Sequence, residues 1–191
     1  METIRAFVAI LLSEQIRERL AAEVERLRPV ARDAAWVARD NVHLTVKFLG
    51  GVEAARLDAV AGALAGAARA CQAFDLTVRG LGAFPTPRRP RVLWAGVDEG
   101  GAHVATLARR VDEALQALGF APEPRAFTAH ATLGRLRAPR ADPRLAEALA
   151  TGGTYGRQRV DRVALMRSRL SPQGACHTEL AAAPLAPGAP G

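Results

Sequence analysis

The sequence predicts a mixed fold, α+β or α/β, with helices outside and sheet faces turned inward. Two features predict it. Short apolar runs rich in β-forming residues alternate with amphipathic helical stretches, and no linker divides the chain in two. Composition agrees: 191 residues, 49% hydrophobic and 24% charged, are ordinary for one globular domain. Aromatic residues make up only 5%, so Ala, Leu and Val must fill most of the core. One domain is expected over residues 1–180, and the Ala/Pro/Gly-rich stretch 181–191 is expected to be a disordered tail.

The elements follow in order. Ile4–Leu12 reads as a buried strand, with Phe7, Val8, Ile10 and Leu11 and no charge after Arg5. Ser13 then offers an N-cap to a helix over Glu14–Arg28, which puts Ile16, Leu20, Val24 and Leu27 on one face. Val42–Phe48 is a strand closed by Gly50-Gly51, Glu53–Ala70 an Ala-rich helix and Phe74–Val78 an alternating strand. Ala83–Arg91 contains Pro85, Pro87 and Pro90 and is expected to be a loop. Arg91–Val97 is a strand, Ala102–Leu118 a helix, Thr128–Arg135 a strand and Asp142–Ala150 a short helix. Gln158–Leu170 is expected to be one long strand and Cys176–Leu180 a short last one.

Several classes drop out. The longest early apolar run, Phe7–Leu12, is about a third of the ~20 residues a spanning helix needs, and no small-residue cleavage site follows it. Cys71 and Cys176 form no CxxC pair, so neither a disulfide framework nor a structural zinc site is expected. These features point to a cytoplasmic protein, and nothing demands more than a monomer. The formal charge is +7, and 25 of the 26 basic residues are arginine, Lys47 being the exception. A polyanionic partner would explain this surplus. So would the codon bias of a GC-rich genome.

The informative feature is an internal echo. His43-Leu44-Thr45-Val46 recurs as His130-Ala131-Thr132-Leu133, 87 residues later, which suggests a duplicated unit. Side chains alternate across a strand, so His43 and Thr45 share one face and His130 and Thr132 do the same. The opposite faces are apolar and belong under helices. The polar faces want water or a ligand. Two imidazoles and two hydroxyls brought together suit in-line phosphoryl chemistry without a metal. One neutral ring takes a proton from water, and one protonated ring gives a proton to the departing oxygen. The hydroxyls donate to phosphate oxygens. Arg135 lies at odd spacing from His130, on the wrong face of a regular strand, but beyond Gly134 a bulge or the end of the strand can re-aim it toward the phosphate. With four histidines and no HExxH, a metal-ligand set looks short.

The segments His43–Gly50 and Thr128–Arg135 resemble the paired HxTx signature of the two-histidine (2H) phosphoesterases, above all the LigT-like RNA 2′,3′-cyclic phosphodiesterases, historically called 2′-5′ RNA ligases. Arg5–Ile10, Leu81–Pro85, Pro90–Val97 and Leu165–Ser168 are similar to other segments of that family. The resemblance implies a bilobal α+β fold with two antiparallel sheets facing a central cleft and helices outside. It implies hydrolysis of RNA 2′,3′-cyclic phosphate ends, or of a cyclic nucleotide, to a 2′-phosphomonoester, with no metal and no cofactor. His43 would then be the proton donor and His130 the proton acceptor. Thr45, Thr132 and Arg135 would bind phosphate, and ligation would be a secondary, reverse activity. The family often carries Gly-x-x-Tyr near the C-terminus, whereas this chain has Gly174-Ala175-Cys176-His177, so His177 is either a substitute polar ring or an ordinary edge residue. Ala129 stands where the family tends to have proline.

Phe84 with Arg88, Arg89 and Arg91 reads either as an RNA-binding lip or as a solvated turn with Phe84 in the core. Phe48 shares the face of Val46 on a regular strand, which places it in the core, although its position after the motif also makes it a candidate RNA contact. The competing function is an RNA- or nucleotide-binding module with vestigial chemistry. A phosphodiesterase of small cyclic nucleotides is a third reading.

Overall fold

A computed structural model describes residues 2–139, 141–171 and 174–188. The described elements run β1 (Thr3–Leu11), α1 (Glu14–Leu27), β2 (Ala34–Trp36), β3 (His43–Glu53), α2 (Leu57–Arg69), β4 (Phe74–Thr86), β5 (Arg89–Val97), α3 (Gly101–Gln116), β6 (His130–Leu136), α4 (Pro143–Ala150), β7 (Thr154–Val160), β8 (Arg162–Ser171) and β9 (Gly174–Pro184). The fold is α+β, as expected. The sheet is antiparallel and curled, in the order β7-β4-β5-β6-β3-β1-β8-β9, with short β2 on β6. The two expected sheets are therefore two halves of one sheet. They join where β3 meets β6 through a single residue pair, Leu44 and Ala131.

The halves are built from a repeated unit. The first copy is β1-α1-β3-α2-β4, and the second is β5-α3-β6-α4 followed by β7 and β8. In each copy the first strand lies beside the motif strand: β1 on β3 and β5 on β6. The last strands are exchanged, since β4 pairs with β5 of the second copy and β8 pairs with β1 of the first.

The helices cover the apolar face, because each has an apolar stripe at helical spacing. Helix α1 buries Ile16, Leu20, Val24 and Leu27, and Ser13 Oγ accepts from Ile16 N at 3.4 Å. Helix α3 buries Val104, Leu107, Val111 and Leu115, and α2 packs against it with Val60 and Leu64. Asp142 caps α4 through Arg144 N and Leu145 N.

Several boundaries depart from expectation. Strand β3 runs through Gly50-Gly51 to Glu53, because Gly50 takes φ +69° and absorbs a bulge opposite Ala6 and Phe7, a conformation open to glycine. Helix α2 accordingly starts only at Leu57. The Pro-rich stretch is a hairpin, with Pro85 opposite Pro90. It tolerates them because β4 pairs with β7 only as far as Arg79, and β5 meets β6 only from Val92, so the missing N–H groups interrupt no ladder. The long strand over Gln158–Leu170 is broken at Asp161 into β7 and β8, which serve opposite halves. The expected tail is ordered over 181–188. Residues 181–184 finish β9 against β8, Leu185 is buried, and Ala186 pairs with Cys71 and Ala73; residues 189–191 lie outside the described residues. The three-residue strand β2 was not anticipated.

Candidate active site

Leu44 and Ala131, the middle residues of the two His-x-Thr motifs, face each other where β3 and β6 cross. Both are 0% exposed, so each strand turns its apolar side under the helices. The alternation then sends His43, Thr45, His130 and Thr132 to the other side. A pseudo-twofold axis passes between Leu44 and Ala131, and the antiparallel register sets the histidine of each motif across from the threonine of the other. All four polar side chains are partly buried.

Each motif strand carries a bulge at the same place. On β3, Thr45 pairs with Ala9 and Lys47 with Val8, leaving Val46 as the extra residue. On β6, Thr132 pairs with Trp94 and Gly134 with Leu93, leaving Leu133 extra. A bulge reverses which side of the sheet the following residues face. Arg135 therefore returns to the cleft, and so does Phe48, its counterpart in the other motif. Phe48 is 67% exposed, which corrects the core placement. Lys47 goes the other way. It is 8% exposed and donates to the Asp112 carboxylate on α3 and to Ala121 O at 2.8 Å.

The imidazoles are held alike. His43 Nδ1 donates to Asn41 O at 2.7 Å, and His130 Nδ1 donates to Thr128 O at 2.7 Å. A carbonyl only accepts, so Nδ1 carries the proton and Nε2 is left for chemistry. His43 Nε2 lies 3.0 Å from Thr45 Oγ1. Burial lowers the His43 pKa from its ordinary 6.5 to about 4, against the Asn41 carbonyl, which raises it; His177 and His130 lower it further. Burial also lowers His130, with the Thr128 carbonyl opposing and Arg135 adding to the fall.

Aromatic rings wedge both histidines. The Phe7 ring stacks on His43 at 4.8 Å. Phe84 meets His130 edge-on at 5.0 Å, and Trp94 lies 6.2 Å away. Phe84 is therefore a neighbour of the second imidazole rather than a core residue. His177 sits 5.3 Å from His43 and 4.9 Å from Phe7, inside the cleft rather than at an indifferent edge. Arg88 and Arg89 are exposed at the β4–β5 hairpin tip, outside the cleft wall.

The cleft has a volume of about 770 Å³, with His43, Thr45, Thr132 and Arg135 in its wall. Among the described residues it has no carboxylate in that wall, and no group of three or more His, Cys, Asp and Glu is placed to hold a metal ion. Residue-by-residue reading of the motifs missed Arg5, Phe7, Trp36 and Trp94. Alternation along Arg5–Ile10 and Arg91–Val97 carries the signal for Phe7 and Trp94, because those strands flank the motif strands.

His43, Thr45, Thr132 and Arg135 line the cleft, with His130 outside that wall on the neighbouring strand, and among the described residues no carboxylate joins them; this class of site suits a phosphate ester. Comparison with known proteins narrows the class. The chain belongs to the LigT like Phosphoesterase family, which matches residues 10–94 and 96–177. A Methanothermobacter thermautotrophicus protein named RNA 2′,3′-cyclic phosphodiesterase is 34% identical over 179 residues, covering 93% of this chain and 96% of its own. A Thermus thermophilus protein of the same name is 33% identical over 92% of this chain and 87% of its own. The crystal structure of Escherichia coli LigT complexed with 3′-AMP superposes with a TM-score of 0.80 at 28% identity, over 96% of this chain and 99% of that one. Among the described residues, no helix is long and apolar enough to cross a membrane.

Proposed function

We propose that this chain hydrolyses RNA 2′,3′-cyclic phosphate ends to 2′-phosphomonoesters by two-histidine acid–base catalysis. The observation that carries the reading is the pseudo-twofold meeting of the two His-x-Thr motifs at Leu44 and Ala131. The named activity of the relatives supports it.

The cyclic phosphate lies between the imidazoles. His130 Nε2 takes a proton from water as its oxygen forms a bond to phosphorus. On the opposite side the bond from phosphorus to O3′ breaks, and His43 Nε2 gives its proton to O3′. The product is a 2′-phosphomonoester with a free 3′-hydroxyl. Thr45, Thr132 and Arg135 hold the non-bridging oxygens, and Arg135 neutralises charge as it builds. Among the described residues, the cleft wall supplies no carboxylate. The phosphate anion provides the negative charge, raises the pKa of His43 and lets the donor take up its proton along with the substrate.

The test is turnover of an oligonucleotide ending in a cyclic phosphate. His43→Ala and His130→Ala should each lower it by about 10²-fold or more, the scale of a general acid or base, and EDTA should leave it unchanged. Full activity in either variant, or abolition by EDTA, overturns the reading. RNA binding that survives both substitutions with no product from the wild type would favour a binding module.

A further inference from the structure

The reaction accounts for Arg135 but not for the second arginine in the cleft, Arg5. Strand β1 carries no bulge of its own, so Thr3, Arg5 and Phe7 share one face and all three line the cleft. Phe7 touches His43. Arg5 stands two residues further from the catalytic centre, about 7 Å along the strand, and is paired in register with Gly51 just past the exposed Phe48. Gly50 and Gly51 line the cleft here without side chains. A Cβ on Gly51 would come within 2.8 Å of Thr3 Cγ2, whereas one on Gly50 would meet nothing within 4 Å, so the open part of this bare wall lies over Gly50.

Arg5 is exposed, and no hydrogen bond or ion pair to it is found among the described residues. Its acidic neighbour in sequence, Glu2, is engaged with Arg167 at 3.2 Å. Arg17 and Arg39, by contrast, both meet the Asp40 carboxylate. A guanidinium with no carboxylate partner, in a cleft wall that has none among the described residues, suits an anion. Its place two residues along β1 from Phe7, whose ring stacks on His43, sets the guanidinium to one side of the imidazoles, toward where the next phosphate of a single strand would run.

We propose that Arg5 binds the internucleotide phosphate on the 5′ side of the terminal nucleotide and so makes the protein prefer an oligonucleotide end over a cyclic mononucleotide. The proposal rests on the hydrolase reading above and names its substrate class.

The experiment compares kcat/KM for a dinucleotide ending in a 2′,3′-cyclic phosphate with that for the cyclic mononucleotide, using the full chain. The wild type should favour the dinucleotide. Arg5→Gln should reduce the ratio of the two by about tenfold, the value of one charged hydrogen bond, and Arg5→Lys should restore part of it. A dinucleotide with an uncharged methylphosphonate linkage should behave toward the wild type like the mononucleotide. An unchanged ratio in Arg5→Gln, or an undiminished preference for the uncharged dinucleotide, overturns the proposal. If the wild type turns over neither substrate, the hydrolase reading fails, and the ratio of affinities for the same two ligands decides the subsite.

Discussion

His43 shows how a single position is held ready for the proposed chemistry. The Asn41 carbonyl fixes its tautomer, Phe7 fixes its plane, and burial beside His177 and His130 keeps it neutral in the free protein. In the proposed role of donor His43 must be protonated, so kcat/KM should fall as pH rises past the His43 pKa of the free protein. His177 contributes to the lowering of that pKa. Replacing it with glutamine removes a neighbouring positive charge at low pH, favours the protonated form of His43 and raises its pKa. The descending limb of the kcat/KM profile should move to higher pH in His177→Gln. A limb that stays in place would show that His177 does not act on His43.

Strand β3 shows what a bulge does to an element. One extra residue turns Phe48 outward and Lys47 inward, where Lys47 ties the motif strand to α3 and to the segment leading to His130. Asp112 also accepts from Glu123 N at 3.2 Å and from Gln116 Nε2 at 2.9 Å. Burial pushes the Asp112 carboxyl up, but the hydrogen bond and charge of Lys47, with the other donors, bring it below the ordinary value. Lys47→Met should cost about 3 kcal/mol in denaturant unfolding, because it strands a half-buried carboxylate. A group with a lowered folded pKa stabilises above its unfolded pKa and loses that contribution as pH falls through the folded one. The wild type should therefore lose more stability on acidification than Lys47→Met does. Equal losses would show that the pair is not coupled to folding.

The same strand marks the limit of what was legible. Alternation alone placed His43, Thr45, His130 and Thr132 on one face, because those three-residue stretches precede the bulges. Arg135 needed either a bulge or a strand end, and the structure has the bulge; Phe48 needed the equivalent one, and nothing in Val46-Lys47 announces it. The helical stripes were legible because their partners are generic apolar surface. Residues 181–184 were not, because alanine and proline say little until β8 offers an unpaired edge. The split at Asp161 was hidden for a related reason: both sides read as strand, and only the tertiary structure assigns them to different halves.

At the scale of the whole molecule, the exchange of last strands means that neither half carries its own sheet. A chain cut at the β4–β5 hairpin tip, between Pro87 and Arg88, gives one fragment whose β1 lacks β8 and another whose β5 lacks β4. Each fragment alone should fail to show a cooperative thermal transition, and an equimolar mixture should recover both the transition and turnover. A fragment that folds and melts cooperatively by itself would show that the exchange is dispensable.

The pseudo-twofold axis also bears on how such a cleft arises. A half-length polypeptide with this order of elements would leave its final strand without a neighbour and would complete itself by docking onto an identical copy. That symmetric homodimer would already set one imidazole from each subunit about the shared axis. Joining such subunits end to end would free the two copies to diverge, and the matching positions now hold an aromatic ring at Phe48 on one side and a cation at Arg135 on the other.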